Sequence, residues 1–257
     1  MTSWTRRDFL RAAGLGATAA ALPSPASAMG GDDRFTIGLL LPHGKTEIPR
    51  PGATRRLLQE VEKRTSVAVM PNTRTMELSA QVFDYPMLIL NGDAGFDPWP
   101  NAAIERLRAY LKAGGFLYVD SAEGVHNGPF ITSVRRELSR IYTDVKPQPV
   151  PRDHVLFKSF YLLDEAYGRI EVTKTLDAII EDDRAPVVLN MNDALGAWAR
   201  DNFGAWEFDV IPGGSYQRER AFRLGINLVM YALCINYKAD QVHIPFILRR
   251  RKWKVEP

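Results

Sequence analysis

The hydrophobic positions of this chain fall into short runs parted by polar turns, and strand-like and helix-like periods alternate along its first half. Residues 35–41 read FTIGLLL, an unbroken apolar run of strand length that ends at Pro42-His43-Gly44. A run apolar on both faces predicts a strand covered on both sides. Residues 53–64 (ATRRLLQEVEKR) gather Leu57, Leu58 and Val61 on one face and charges on the other, which predicts a surface helix. Residues 67–70 and 87–90 predict a second and a third strand, the latter closing on Asn91-Gly92-Asp93. Residues 101–113 repeat apolar side chains at Ile104, Leu107 and Leu111, with Asn101 as the expected N-cap and Gly114-Gly115 as a left-handed stop. That helix leads into a strand at 116–119, which finishes on Asp120-Ser121. Strand, helix and strand in this order make a right-handed parallel crossover. The fold class predicted is α/β, a doubly wound and mostly parallel sheet.

The second half is less regular. A helix is expected at 133–142, a surface loop at 146–153 with its three prolines, and two adjacent strands at 176–181 and 187–190 around Asp182-Asp183-Arg184. Residues 217–236 are apolar on nearly every face, through Phe222, Leu224, Ile226, Leu228, Val229, Tyr231 and Leu233, so a buried closing helix is expected. No internal repeat is seen.

The N-terminus carries a different pattern. Residues 5–10 spell T-R-R-D-F-L, with Arg6 and Arg7 as the paired arginines that the twin-arginine translocase reads. A weakly apolar stretch follows at 12–22, too short and too rich in Gly and Ala to span a bilayer, where about 20 apolar residues are needed. Pro23 and Pro25 break it, and Ala26-Ser27-Ala28 supplies a small-residue cleavage site, placing the cut after Ala28. The expected organisation is a signal over 1–28, one α/β domain over 29–248, and a basic tail over 249–257. The expected address is the periplasm or the exterior.

Composition refines this little. The net charge of +3 includes Arg6, Arg7 and Arg11 against Asp8, so the chain after Ala28 is close to neutral. Near-neutral charge and an exported address argue against nucleic acid. The tail holds Trp253 among five positive charges, which allows peripheral contact with anionic lipid or an acidic partner. One cysteine, Cys234, excludes an internal disulfide and a Cys-based zinc site.

Four blocks carry a resemblance: HVLFKSFYLL with Gly168-Arg169, NDALGAWARD, QRERAFRLGINLVMYAL and NYKADQVHIPFIL. They resemble the bacterial family called domain of unknown function 4159, over about 35–250. The resemblance implies a sheet similar to the class I glutamine amidotransferase (flavodoxin-like) fold. It implies work in cell-envelope assemblies and no established biochemical role.

In an open α/β sheet, ligands bind beyond the carboxyl ends of the strands. This singles out His43-Gly44-Lys45, Asn91-Gly92-Asp93 and Asp120-Ser121-Ala122-Glu123. No G-x-C-x-G or G-x-S-x-G elbow is present, so Ser121 is poorly suited to nucleophilic work, and Cys234 is expected to be buried and inert. Asp120, Glu123 and His126, within seven residues of one another, and Asp193 after another strand admit two readings: an acid–base or metal cluster, or, for Asp120 and Asp193, acids that cap turns at strand ends. Arg218 and Glu219, at the expected mouth of the closing helix, also admit two. Arg218 either pairs with Asp193 or Asp120, or helps form an anion site at the helix start. The candidate ligand-binding residues are therefore Asp120, Ser121, His126, Asp193, Arg218 and Glu219, with no catalytic residue, metal or cofactor assigned. The leading expectation is an exported, non-catalytic binding or scaffold domain of the cell envelope, with a protein partner or a small anionic ligand. The alternative is a hydrolase of a sugar or cell-wall fragment acting through Asp120 and His126, with or without a metal.

Overall fold

The structure, a computed structural model, describes residues 34–181 and 183–234. The expected signal, the basic tail, Asp182 and residues 235–236, where the closing helix is expected to end, lie outside the described residues. The strands are β1 (Ile37–Leu40), β2 (Arg74–Met76), β3 (Met87–Gly92), β4 (Phe116–Ser121), β5 (Gln148–Pro149), β6 (Asp177–Glu181) and β7 (Arg184–Asn190). The helices are α1 (Ala53–Arg64), α2 (Asn101–Lys112), α3 (Pro129–Ile141), α4 (Ala194–Trp198) and α5 (Gly214–Cys234), with 3-10 turns at Ala80–Asp84 and Val155–Phe157.

These strands form one sheet in the order β2-β1-β3-β4-β7-β6-β5. The first five in that order run parallel, while β6 and β5 are antiparallel additions. Alternate residues of each central strand feed two separate cores. Ile37, Leu39, Met87, Ile89, Phe116, Tyr118 and Val188 pack against α1, α4 and α5. Leu40, Leu88, Leu90, Leu117, Val119, Val187 and Leu189 pack against α2 and α3. The fold is a three-layer α/β sandwich, and its two-sided burial accounts for the unbroken apolar runs.

Several expected boundaries move. The second strand lies at Arg74–Met76, and residues 67–70 contribute only an isolated bridge, Phe35 to Val69. Pro100, not Asn101, occupies the N-cap of α2, and the Asn101 carboxamide instead accepts from Arg140 at 2.7 Å. The Gly114-Gly115 stop forms as expected, with Gly115 N–H donating to Tyr110 O and Gly114 N–H to Leu111 O. Helix α3 starts four residues early, at Pro129, because proline suits the first helical position and Glu123 takes the N–H groups of Phe130 and Ile131. The proline-rich 146–153 segment contains the short edge strand β5, where Pro149 pairs with Asp177. Helix α5 begins at Gly214, which puts Arg218 and Glu219 in its second turn rather than at its mouth. Cys234 is exposed, at the last described position of α5.

Candidate functional site

The carboxyl ends of the central strands carry a row of buried polar residues. Asn91 of β3, Asp120 of β4 and Asn190 of β7 are register neighbours, and each is completely buried. They lie on the α1/α4/α5 face, in phase with Ile89, Tyr118 and Val188. Asn91 Nδ2 donates to Asp120 O at 2.9 Å, leaving Asn91 Oδ1 buried without a partner.

Asp120 is held by three donors. The backbone N–H groups of Ala194 and Leu195 reach Oδ1 and Oδ2, both at 2.9 Å, and the Tyr118 hydroxyl donates to Oδ1 at 3.2 Å. The carboxylate thus serves the first turn of α4, whose free N–H groups and dipole favour a negative charge. Asn190 Nδ2 completes the network by donating to the Tyr118 oxygen at 3.0 Å. Burial, followed by the nearby Asp193 charge, pushes the Asp120 carboxyl up to about 8, against the pull of its donors. Burial also drives the Tyr118 hydroxyl well above its ordinary value, with the Asp120 charge as the next cause.

Asp193 caps α4 from a left-handed backbone conformation, φ 52°, with Oδ1 accepting from Gly196 N–H at 3.0 Å. Its Oδ2 receives Arg169 Nε at 2.5 Å and Arg50 Nη2 at 3.1 Å. Both guanidinium groups sit against the Phe208 ring, Arg50 at 4.0 Å and Arg169 at 5.7 Å from its centroid. A buried acid beside a second buried acid is therefore compensated by two cations that stack on one aromatic ring.

The structure brings Asp120 and Asp193 together but separates the other predicted residues from them. Ser121 is buried, and its hydroxyl bonds to Glu123 Oε2 at 3.2 Å, within the N-terminal cap of α3. His126 is exposed on the loop between β4 and α3. Arg218 does not pair with either acid; its Nη1 donates to Ala197 O at 2.7 Å and its Nη2 to Phe208 O at 2.6 Å. The guanidinium instead tethers the end of α4 to the 199–213 loop and lies 4.1 Å from the centroid of Trp206. Glu219 bridges helices, accepting from Arg64 of α1 at 2.8 Å and from Arg223 at 3.0 Å. Among the described residues, no group of three His, Cys, Asp or Glu side chains could hold a metal ion. Arg50 and Arg169 are the functional partners that sequence reasoning missed; their link to Asp193 spans 143 and 24 residues of chain. Gly168-Arg169 stood within the family-like blocks, which was the available signal for one of them.

The family model for domain of unknown function DUF4159 matches residues 39–233, from within β1 to one residue short of the end of α5. The chain belongs to this family. No curated protein matches it. The matched span takes in the sheet except the first two residues of β1, and all of the Asp120–Asp193 network, so this network lies inside the DUF4159 domain itself. No described helix is long and apolar enough to cross a membrane.

Proposed function

We propose that this DUF4159 domain is an exported, non-catalytic binding or scaffold domain of the bacterial cell envelope. The observation that carries the reading is the state of its two central acids. Asp120 and Asp193 are completely buried, and their oxygens are occupied by backbone N–H groups, the Tyr118 hydroxyl and two arginines. Such a network rigidifies a platform; it offers no open carboxylate to a substrate. The parallel strand order β2-β1-β3-β4-β7 supports a flavodoxin-like sheet related to class I glutamine amidotransferases. Export rests on Arg6, Arg7 and the Ala26-Ser27-Ala28 site.

The hydrolase alternative needs Asp120 and His126 to share a substrate, and their contrast in exposure gives that arrangement little support. Assay of the purified domain on muropeptides and chitooligosaccharides discriminates the two readings. The binding reading expects no turnover, and expects Asp120→Ala to lower the melting temperature. Steady turnover that disappears in Asp120→Asn at an unchanged melting temperature overturns it.

A further inference from the structure

The strand order reverses between β1 and β3: the chain leaves β1 for the β2 edge, then returns to β3 and builds outward on the other side. Crevices at such reversals are where open α/β sheets take ligands. A crevice of about 210 Å³ lies next to this point, on the β2 side, beyond the ends of β1 and β2 and beside the start of α2. It is separate from the Asp120–Asp193 network, and nothing in that network uses its residues.

Three features of the lining select the ligand. Lys45 and Arg106 both line the crevice. Arg106 is fixed there by a 2.6 Å bond from Nη1 to Leu78 O, and Lys45 is exposed and unencumbered by secondary structure. His43 also lines it, and its Nδ1 is buried without a hydrogen-bond partner. A tight turn sets this geometry: Lys45 N–H donates to Pro42 O at 3.0 Å, with Gly44 at φ +78° in the third position. Asp97 N–H then donates to His43 O at 3.3 Å, which ties the loop after β3 to the loop after β1. Third, α2 starts at the crevice with Pro100 as N-cap, no capping side chain and no acid in its first turn, while the nearest acids are Glu137, whose Oε2 accepts from Trp99 N–H at 3.2 Å, and Asp97, beside Gly44. Glu77 is the acidic lining residue and is exposed to solvent, whereas Trp99 and Leu78 supply buried apolar surface.

We propose that this crevice binds a small organic anion, a carboxylate or phosphate monoester on an apolar body. The anionic group meets Lys45, Arg106 and the start of α2, the His43 side chain borders it, and the apolar body lies against Trp99 and Leu78. The site is independent of whether the domain has any catalytic role.

The test is amide NMR of the purified, 15N-labelled domain titrated with inorganic phosphate, phenyl phosphate and benzoate, each balanced with sodium chloride to constant ionic strength. Saturable shifts are expected at His43, Gly44 and Asn101 to Ala103, with phenyl phosphate or benzoate binding more tightly than inorganic phosphate. Which of those two wins decides between a phosphate and a carboxylate headgroup. Lys45→Ala should weaken the winning ligand about tenfold, the scale of one lost charge-assisted bond, and Lys45→Glu should abolish saturation. Lys45 is exposed, so both variants should melt at the wild-type temperature. Absence of saturable shifts with all three probes overturns the proposal. So does equal binding by Lys45→Glu.

Discussion

Asp120 is the residue on which the strand ends converge, and its protonation couples to folding. Its carboxyl is raised to about 8 in the fold from an ordinary 3.8, burial being the larger cause and Asp193 the next. For an acid shifted upward, the folded state holds the proton more tightly than the unfolded chain. The stability tied to this group is fully present below the ordinary value and is lost as pH climbs towards about 8. Melting temperature should therefore fall between pH 5 and pH 8, and the Asp120→Asn variant should show a shallower fall across the same window. A wild-type profile that rises over this range contradicts the assignment. Asn192 has a comparable role without charge. Completely buried, it accepts from the N–H groups of Val172 and Thr173, each at 2.9 Å, and donates to Ala166 O and Thr173 O. Asn192→Ala strands two N–H donors of a loop that lacks regular structure, which should cost about 2–4 kcal/mol by denaturant unfolding. Sequence reasoning reached Asp120 and Asp193 because acids at strand ends are conspicuous. Asn192 went unremarked, since a carboxamide that braces a loop leaves no periodic trace.

At the scale of elements, the approach of α5 to the sheet-side helices depends on one missing side chain. A Cβ on Gly225 would stand 2.5 Å from a Leu57 methyl of α1 and 2.7 Å from the Trp198 ring of α4. Leucine tips can rotate away, whereas a fully buried indole has little room to yield. Gly225→Ala should thus destabilise the domain by about 1–3 kcal/mol despite alanine's better helix propensity, read as a loss of melting temperature. A gain would mean that α5 shifts freely on its neighbours. The apolar face of α5 was legible from its composition; its closest contacts were not, since Leu57, Trp198 and Gly225 come from separate elements. The β2 strand illustrates the opposite difficulty. Two of its three residues are exposed at the sheet edge, so it lacks the apolar run that disclosed β1, β3 and β4.

For the whole molecule, the long-range organisation of the sheet bears on the export route proposed above. Parallel pairing joins β4 to β7 across a long intervening stretch that includes α3, β5 and β6, and such non-local contacts form slowly. The twin-arginine route carries domains already folded, so the proposed export requires this sheet to form completely in the cytoplasm first. The alternation of buried runs with amphipathic helices made the layered fold readable, because the central strands β1, β3, β4 and β7 are covered on both faces. The export pattern lies in a different part of the chain and makes its own prediction. Residues 1–28 fused to a stably folded reporter should deliver it to the periplasm, cut after Ala28. Lysine at both Arg6 and Arg7 in that fusion should leave an uncut precursor in the cytoplasm, as cell fractionation with N-terminal sequencing would record. Because the reporter replaces the domain, a failure there indicts the signal alone. The same double substitution in the native chain should likewise leave an uncut precursor in the cytoplasm, and this precursor should melt as the wild-type domain does, because residues 29–257 are unchanged.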